Sequence, residues 1–193
     1  FYPRNAGVQM ILVWLILILV GGGVVAGLVG TRNPLLCRWI ALVAVGMDMV
    51  LALSLVSGYL DQMSLGTLGS WLVEWSAPWV PQFGITFHFA VDGLSLLMVI
   101  LNLFLGLIGI GASWKEIQDR VGFFHFNFLF ILAGVIGVFT ALDLFLFFFF
   151  WEIMLVPMYL LIGIWGHENR QYAAVKFFVF TQVTGLLMLL SIL

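Results

Sequence analysis

Charge is scarce in this 193-residue chain: Asp, Glu, Lys and Arg together make up 8% of it. A soluble globular domain carries about a quarter, so an ordinary water-facing surface is excluded. Cysteine is scarcer still. Cys37 stands alone, which rules out an internal disulfide and any iron–sulfur cluster or zinc site held by cysteines of this chain. A net charge of −2 without a basic patch gives nothing for nucleic acid to bind. No phosphate loop, nucleophile motif or metal box interrupts the sequence. What remains is apolar, at 64% hydrophobic residues and a mean hydropathy of +1.20. The fold class that follows is an all-α polytopic membrane protein.

A helix needs about 20 apolar residues to cross roughly 30 Å of hydrocarbon. Apolar blocks run over about 10–30, 37–57, 93–113, 121–166 and 170–193. The block 121–166 is about twice the length of one crossing, and its one central polar break is Thr140-Ala-Leu-Asp143. It must turn back there, giving spans near 121–140 and 143–165 and six transmembrane helices in total. The chain divides into 1–9, expected to be material upstream of a natural start at Met10; 10–57, the first two helices; 58–92, an outer connection; and 93–193, helices three to six. An end inside an apolar helix, at Ser191-Ile192-Leu193, reads as a fragment of a longer protein.

Arg32, Arg38, Lys115, Arg120 and Arg170 all fall on one side when the spans alternate. The positive-inside rule makes that side cytoplasmic and places the N-terminus outside. In the outer connection, Trp71, Trp75 and Trp79 recur every four residues, as in an interfacial aromatic belt. Residues 85–91 alternate in the manner of a short strand, and Asp92 is placed to cap the helix that follows. Gly23, Ala26, Gly27, Gly30, Ala133 and Gly137 let helices approach closely, either within the chain or against a neighbour.

Glu152 is the sharpest functional candidate, because a carboxylate inside a span is costly and is kept mainly where ions or protons are handled. It lies near the midplane of the fifth span. Pro157 leaves the carbonyl of Ile153 without its helical donor, which can admit a water beside Glu152. Lys176 is the second candidate, roughly 9 Å inside the inner end of the sixth span at 1.5 Å per residue. The two Cα levels differ by about 10 Å on the same count, so a water-linked pair fits better than a direct one. Asp48 reads as a group facing a partner helix and Asp143 as turn chemistry. His88, His125 and His167 read as solvated or interfacial groups. Tyr159, Thr181 and Gln182 either line a hydrated path or cross-link helices.

The stretch Phe147-Phe-Phe-Phe-Trp-Glu152-Ile-Met-Leu-Val-Pro157-Met-Tyr resembles the antiporter-like membrane subunits of bacterial proton-pumping NADH–quinone oxidoreductase, respiratory complex I. Supporting stretches are Val91-Asp-Gly-Leu-Ser-Leu-Leu-Met98, Ser113-Trp-Lys-Glu-Ile117, Gly122-Phe-Phe-His125 and the run from Lys176 to Gln182. The residues after Glu152 look like the M-type chain rather than its sisters L and N. The resemblance implies a fourteen-helix fold with two inverted five-helix repeats, of which these six helices are the first part. It also implies that Glu152 and Lys176 transfer protons. Cofactors are expected only in partner subunits, as NADH, FMN, iron–sulfur clusters and quinone. Expected partners are the other antiporter-like chains L and N within the bacterial inner membrane.

Three other readings are open from the residues, one of them a purely structural spacer in which Glu152→Gln would be harmless. Another keeps transport but assigns it to a multisubunit cation/proton antiporter or a membrane-bound hydrogenase. The third is a haem- or quinone-binding redox protein using His125 and His167. A proton moved against 100 mV requires about 2.3 kcal/mol, and no motif here supplies it, so the driving energy must come from partners or a coupled ion.

Overall fold

The computed structural model describes residues 10–64, 71–80, 82 and 84–192. In chain order they form α1 (Ile11–Gly30), α2 (Pro34–Ser64), β1 (Val73–Val80), β2 (Ile85–Val91), α3 (Gly93–Glu116), α4 (Val121–Thr140), α5 (Leu144–Ile153), α6 (Leu155–Trp165) and α7 (Arg170–Ile192). Helices α5 and α6 together make one span, Leu144–Trp165, and six segments are long and apolar enough to cross a bilayer. The reversal within block 121–166 falls at 141–143, as the polar break required. Residues 1–9, expected to precede a natural start, lie outside the described residues, as do 65–70 in the connection between α2 and α3.

Helix boundaries follow local chemistry. The second span starts at Pro34, three residues earlier than the apolar pattern suggested, because Asn33 Oδ1 accepts from Leu36 N at 3.2 Å and proline fits the first helical position. Asp92 caps α3 by accepting from Ser95 N at 2.8 Å. The Ser95 amide and then its hydroxyl hold the Asp92 carboxyl below the ordinary aspartate value.

Helices α1 to α4 enclose one apolar interior that includes Leu12, Leu19, Val45, Leu103, Leu129 and Ile136. Lipid is as apolar as leucine, so close packing rather than water exclusion holds such helices together. The tightest approach is at Gly30 of α1 and Gly122 of α4. A Cβ on Gly122 would lie 2.7 Å from Gly27 O, and one on Gly30 would strike Gly122 itself. The small residues of α1 and α4 therefore serve packing within the chain.

The connection between α2 and α3 holds an antiparallel hairpin where the alternation predicted one strand. Strand β2 occupies 85–91 as expected, and β1 pairs with it through Trp75↔Phe89 and Ala77↔Phe87. Trp75 and Trp79, four apart, fall on one face of β1 and stack on Phe89 and Phe87. Their spacing suits a strand as well as a belt.

Candidate functional site

Three elements build the surroundings of Glu152. Asp143 starts α5: its Oδ1 accepts from Phe145 N at 2.8 Å and Leu146 N at 3.1 Å. Its Oδ2 accepts from Thr86 N at 3.4 Å, and Leu142 N donates to His88 O at 2.9 Å. The helix bearing Glu152 is thus tied to the hairpin at its first residue. Trp79 adds contacts to Phe145 and Phe149, and Phe89 meets Phe150. Asp143 is turn chemistry, with the added task of joining hairpin to helix.

The span then breaks immediately after Glu152. Helix α5 ends at Ile153, Met154 turns its N–H back to the Glu152 carbonyl, and α6 begins at Leu155. Pro157, buried in the first turn of α6, has no N–H to offer the carbonyl of Ile153. The break lies where the proline predicted a loosened ladder.

Helix α7 supplies the third part. Gln182 Nε2 donates to Glu152 Oε2 at 2.8 Å. Glu152 Oε1 is buried and has no hydrogen-bond partner. It rests on Gly185, where any Cβ would collide with it. A side chain at 185 would require the Glu152 carboxyl to shift. Gln182 and Gly185 lie three apart, on one face of the helix.

Lys176 is placed differently. Its side chain is exposed, with the ammonium 5.7 Å from the centroid of the Tyr172 ring. That is a cation–π contact one turn along α7. Glu152 therefore meets Gln182, not Lys176. Thr181 donates to Phe177 O at 2.7 Å within its own helix, and the Tyr159 ring packs edge-on against Phe178. Of the polar residues on this side, Gln182 alone is brought to the carboxylate. The sequence flagged Gln182 without a partner and gave no sign of Gly185, because helix contacts are not written along one helix.

The other candidates lie elsewhere. Asp48 is fully buried in α2 with both oxygens unpartnered. His125 is buried too, and its Nδ1 donates to Val121 O at 2.9 Å; it is not the solvated group the sequence suggested. His167 is exposed in the turn before α7. His88 pairs with Glu74 across the hairpin at 2.9 Å. On α2, Arg38 donates to Ile117 O at 2.9 Å and lies over the Trp114 ring. Among the described residues no group of three or more His, Cys, Asp or Glu could hold a metal ion.

Residues 141–193, which carry Glu152, Lys176, Gln182 and Gly185, match the family described as NADH:quinone oxidoreductase/Mrp antiporter, TM. NADH-quinone oxidoreductase subunit M of Escherichia coli (strain K12) is 50% identical over 191 residues, covering 95% of this chain and 37% of that one. The protein of the same name from Pseudomonas aeruginosa is 50% identical over 192 residues, covering 95% of this chain and 38% of that one. A chain in respiratory complex I from Thermus thermophilus superposes with a TM-score of 0.75 at 26% identity, over 91% of this chain and 33% of that chain. This chain thus spans 37% to 38% of the length of these two curated relatives.

Proposed function

We propose that this chain, which is similar to NADH-quinone oxidoreductase subunit M over 95% of its length and matches the NADH:quinone oxidoreductase/Mrp antiporter family over residues 141–193, forms part of a proton-translocating M-type subunit of NADH–quinone oxidoreductase. The observation that carries the reading is Glu152. It is a half-buried carboxyl inside a span, held by one oxygen, with its other oxygen unpartnered at a helix break. Such a group can gain and lose a proton without rearranging the helices around it.

Glu152 is the proton-exchanging residue of a half-channel. Lys176, one and a half turns before Gln182 on α7, tunes or relays protons from the exposed side of that helix. Redox chemistry belongs to partner subunits carrying FMN and iron–sulfur clusters, oxidising NADH and reducing quinone. Cys37 alone offers no cluster ligand set. The other membrane partners are the antiporter-like chains L and N, and the location is the bacterial inner membrane with the N-terminus outside. The positive-inside pattern of Arg32, Arg38, Lys115, Arg120 and Arg170 supports that orientation.

The test is to purify the native assembly through a tag on this chain and reconstitute it in vesicles. The expected result is NADH-driven quinone reduction with proton transport that needs no sodium. Sodium-dependent transport from an assembly that does not oxidise NADH would replace this reading with the cation/proton antiporter.

A further inference from the structure

We propose that His88 and Glu74 make the hairpin a pH-responsive clamp on the start of α5: a charged His88 tightens the hold of β2 on residues 141–143, and a neutral one loosens it. Both members of the pair belong to this chain, and the clamp does not depend on a proton role for Glu152.

His88 sits in the middle of β2, opposite Ser76 of β1, with Glu74 as its diagonal neighbour. Side chains alternate along a strand, so this pair lies on the face opposite Phe87 and Phe89, which stack on Trp79 and Trp75. Nε2 of His88 and Oε1 of Glu74 are 2.9 Å apart, and the side chains are 31% and 37% exposed, so protons from water reach them. The backbone of β2 meets the turn before α5. His88 O accepts from Leu142 N at 2.9 Å, Thr86 N donates to Asp143 Oδ2 at 3.4 Å, and Phe89 bridges to Ala141. His88 thus joins β1 through its ring and the head of α5 through its carbonyl.

Histidine is the side chain whose charge ordinarily changes between about pH 5 and 8. A neutral imidazole can still donate an Nε2–H to a carboxylate, but the charge-assisted bond is about twice as strong. The added stabilisation is therefore present at the acid end of that window and declines toward the alkaline end. A two-stranded hairpin is only marginally stable by itself, so a difference of this kind changes how often β2 opens. Among the described residues, the other charged groups beside β2 are Asp92 and Asp143. Ser95 holds the Asp92 carboxyl below the ordinary aspartate value, so it stays ionised through the window. Asp143 is occupied by the N–H groups of Thr86, Phe145 and Leu146. Lys115 and Glu116 of α3, His125 of α4 and Glu152 of α5 lie toward the opposite ends of the helices that meet β2.

The test is amide hydrogen exchange, read by mass spectrometry on the intact purified assembly from about pH 5.5 to about pH 7.5. Each rate is divided by the intrinsic amide rate at the same pH. Protection over 85–91 and 141–147 is expected to fall by about two- to fivefold across that range, the scale of a partly exposed ion pair. His88→Gln, which keeps a donor without a titrating charge, should give a flat profile in both segments. Glu74→Gln removes the carboxylate charge that a protonated His88 meets, and should be flat as well. A flat wild-type profile would overturn the clamp, and so would an equal fall in wild type and both variants. A fall confined to 85–91, with 141–147 unmoved, would overturn the link to α5. Proton pumping plays no part in the readout, so a failure of the transport reading leaves the result standing.

Discussion

Asp48 and Glu152 are both carboxylates within apolar helices, yet Glu152 alone meets a donor, Gln182. Asp48 faces the enclosed interior of the α1–α4 group, fully buried and without a partner for either oxygen. Orphaned buried acceptors cost about 1–3 kcal/mol each, and truncating the group removes that cost. Asp48→Ala is therefore expected to preserve or raise the thermal stability of the purified assembly. A loss of about 3 kcal/mol or more, the signature of breaking a buried pair, would mean that the carboxylate is partnered in the membrane. The importance of Glu152 was legible in the sequence, since an acid amid the apolar run 144–164 has no structural reason to be there. Its neighbours were not. Gln182 is thirty residues away, and the glycine at 185 looks like any other small residue of a membrane helix.

At the scale of elements, one-dimensional signals were read and pairings were not. The turn at 141–143 and the cap at Asp92 are local events, and both stand where the residues indicated. Strand β1 was hidden because Pro78 lies within it, and proline argues against a strand unless the strand is at an edge. In a two-stranded hairpin both strands are edges, and a register shift between Pro78 and Val80 accommodates the ring. The cap at Asp92 carries a pH dependence whose sign is fixed by its partners. Its folded-state carboxyl lies below the ordinary value because Ser95 donates to it, so its stabilisation is complete above the unfolded value of about 4. It is lost as the pH falls through the lower, folded value. Asp92→Asn keeps an acceptor for the cap but cannot titrate. The expected outcome is a gap in melting temperature, wild type above Asp92→Asn near pH 7, which closes progressively as the pH falls below the ordinary aspartate value of about 4. A gap of constant size would contradict the role of the charge.

Packing among the described residues is uneven. More than half of α4 is buried, against 6% of α7. The inward side of α7 is the one bearing Ala174 and Gly185, and it meets α5 and α6, with Gln182 facing Glu152. The broken span α5–α6 packs along α4, from Phe150 against Gly137 through Met154 against Gly134 to Trp165, whose Nε1 donates to Asp119 O at 3.0 Å. The six-helix count was legible because apolar length is a property of sequence alone. The arrangement that seats a carboxylate between a glutamine and a glycine is a property of helix faces, and needed the fold. The account stands or falls on whether that carboxylate moves protons. The most direct measurement is proton pumping per NADH oxidised by the reconstituted assembly carrying Glu152→Gln, with subunit content checked in parallel. The account predicts that pumping and NADH oxidation both collapse while assembly is normal. Unchanged pumping per NADH in the fully assembled variant would contradict it and leave Glu152 as a packing residue.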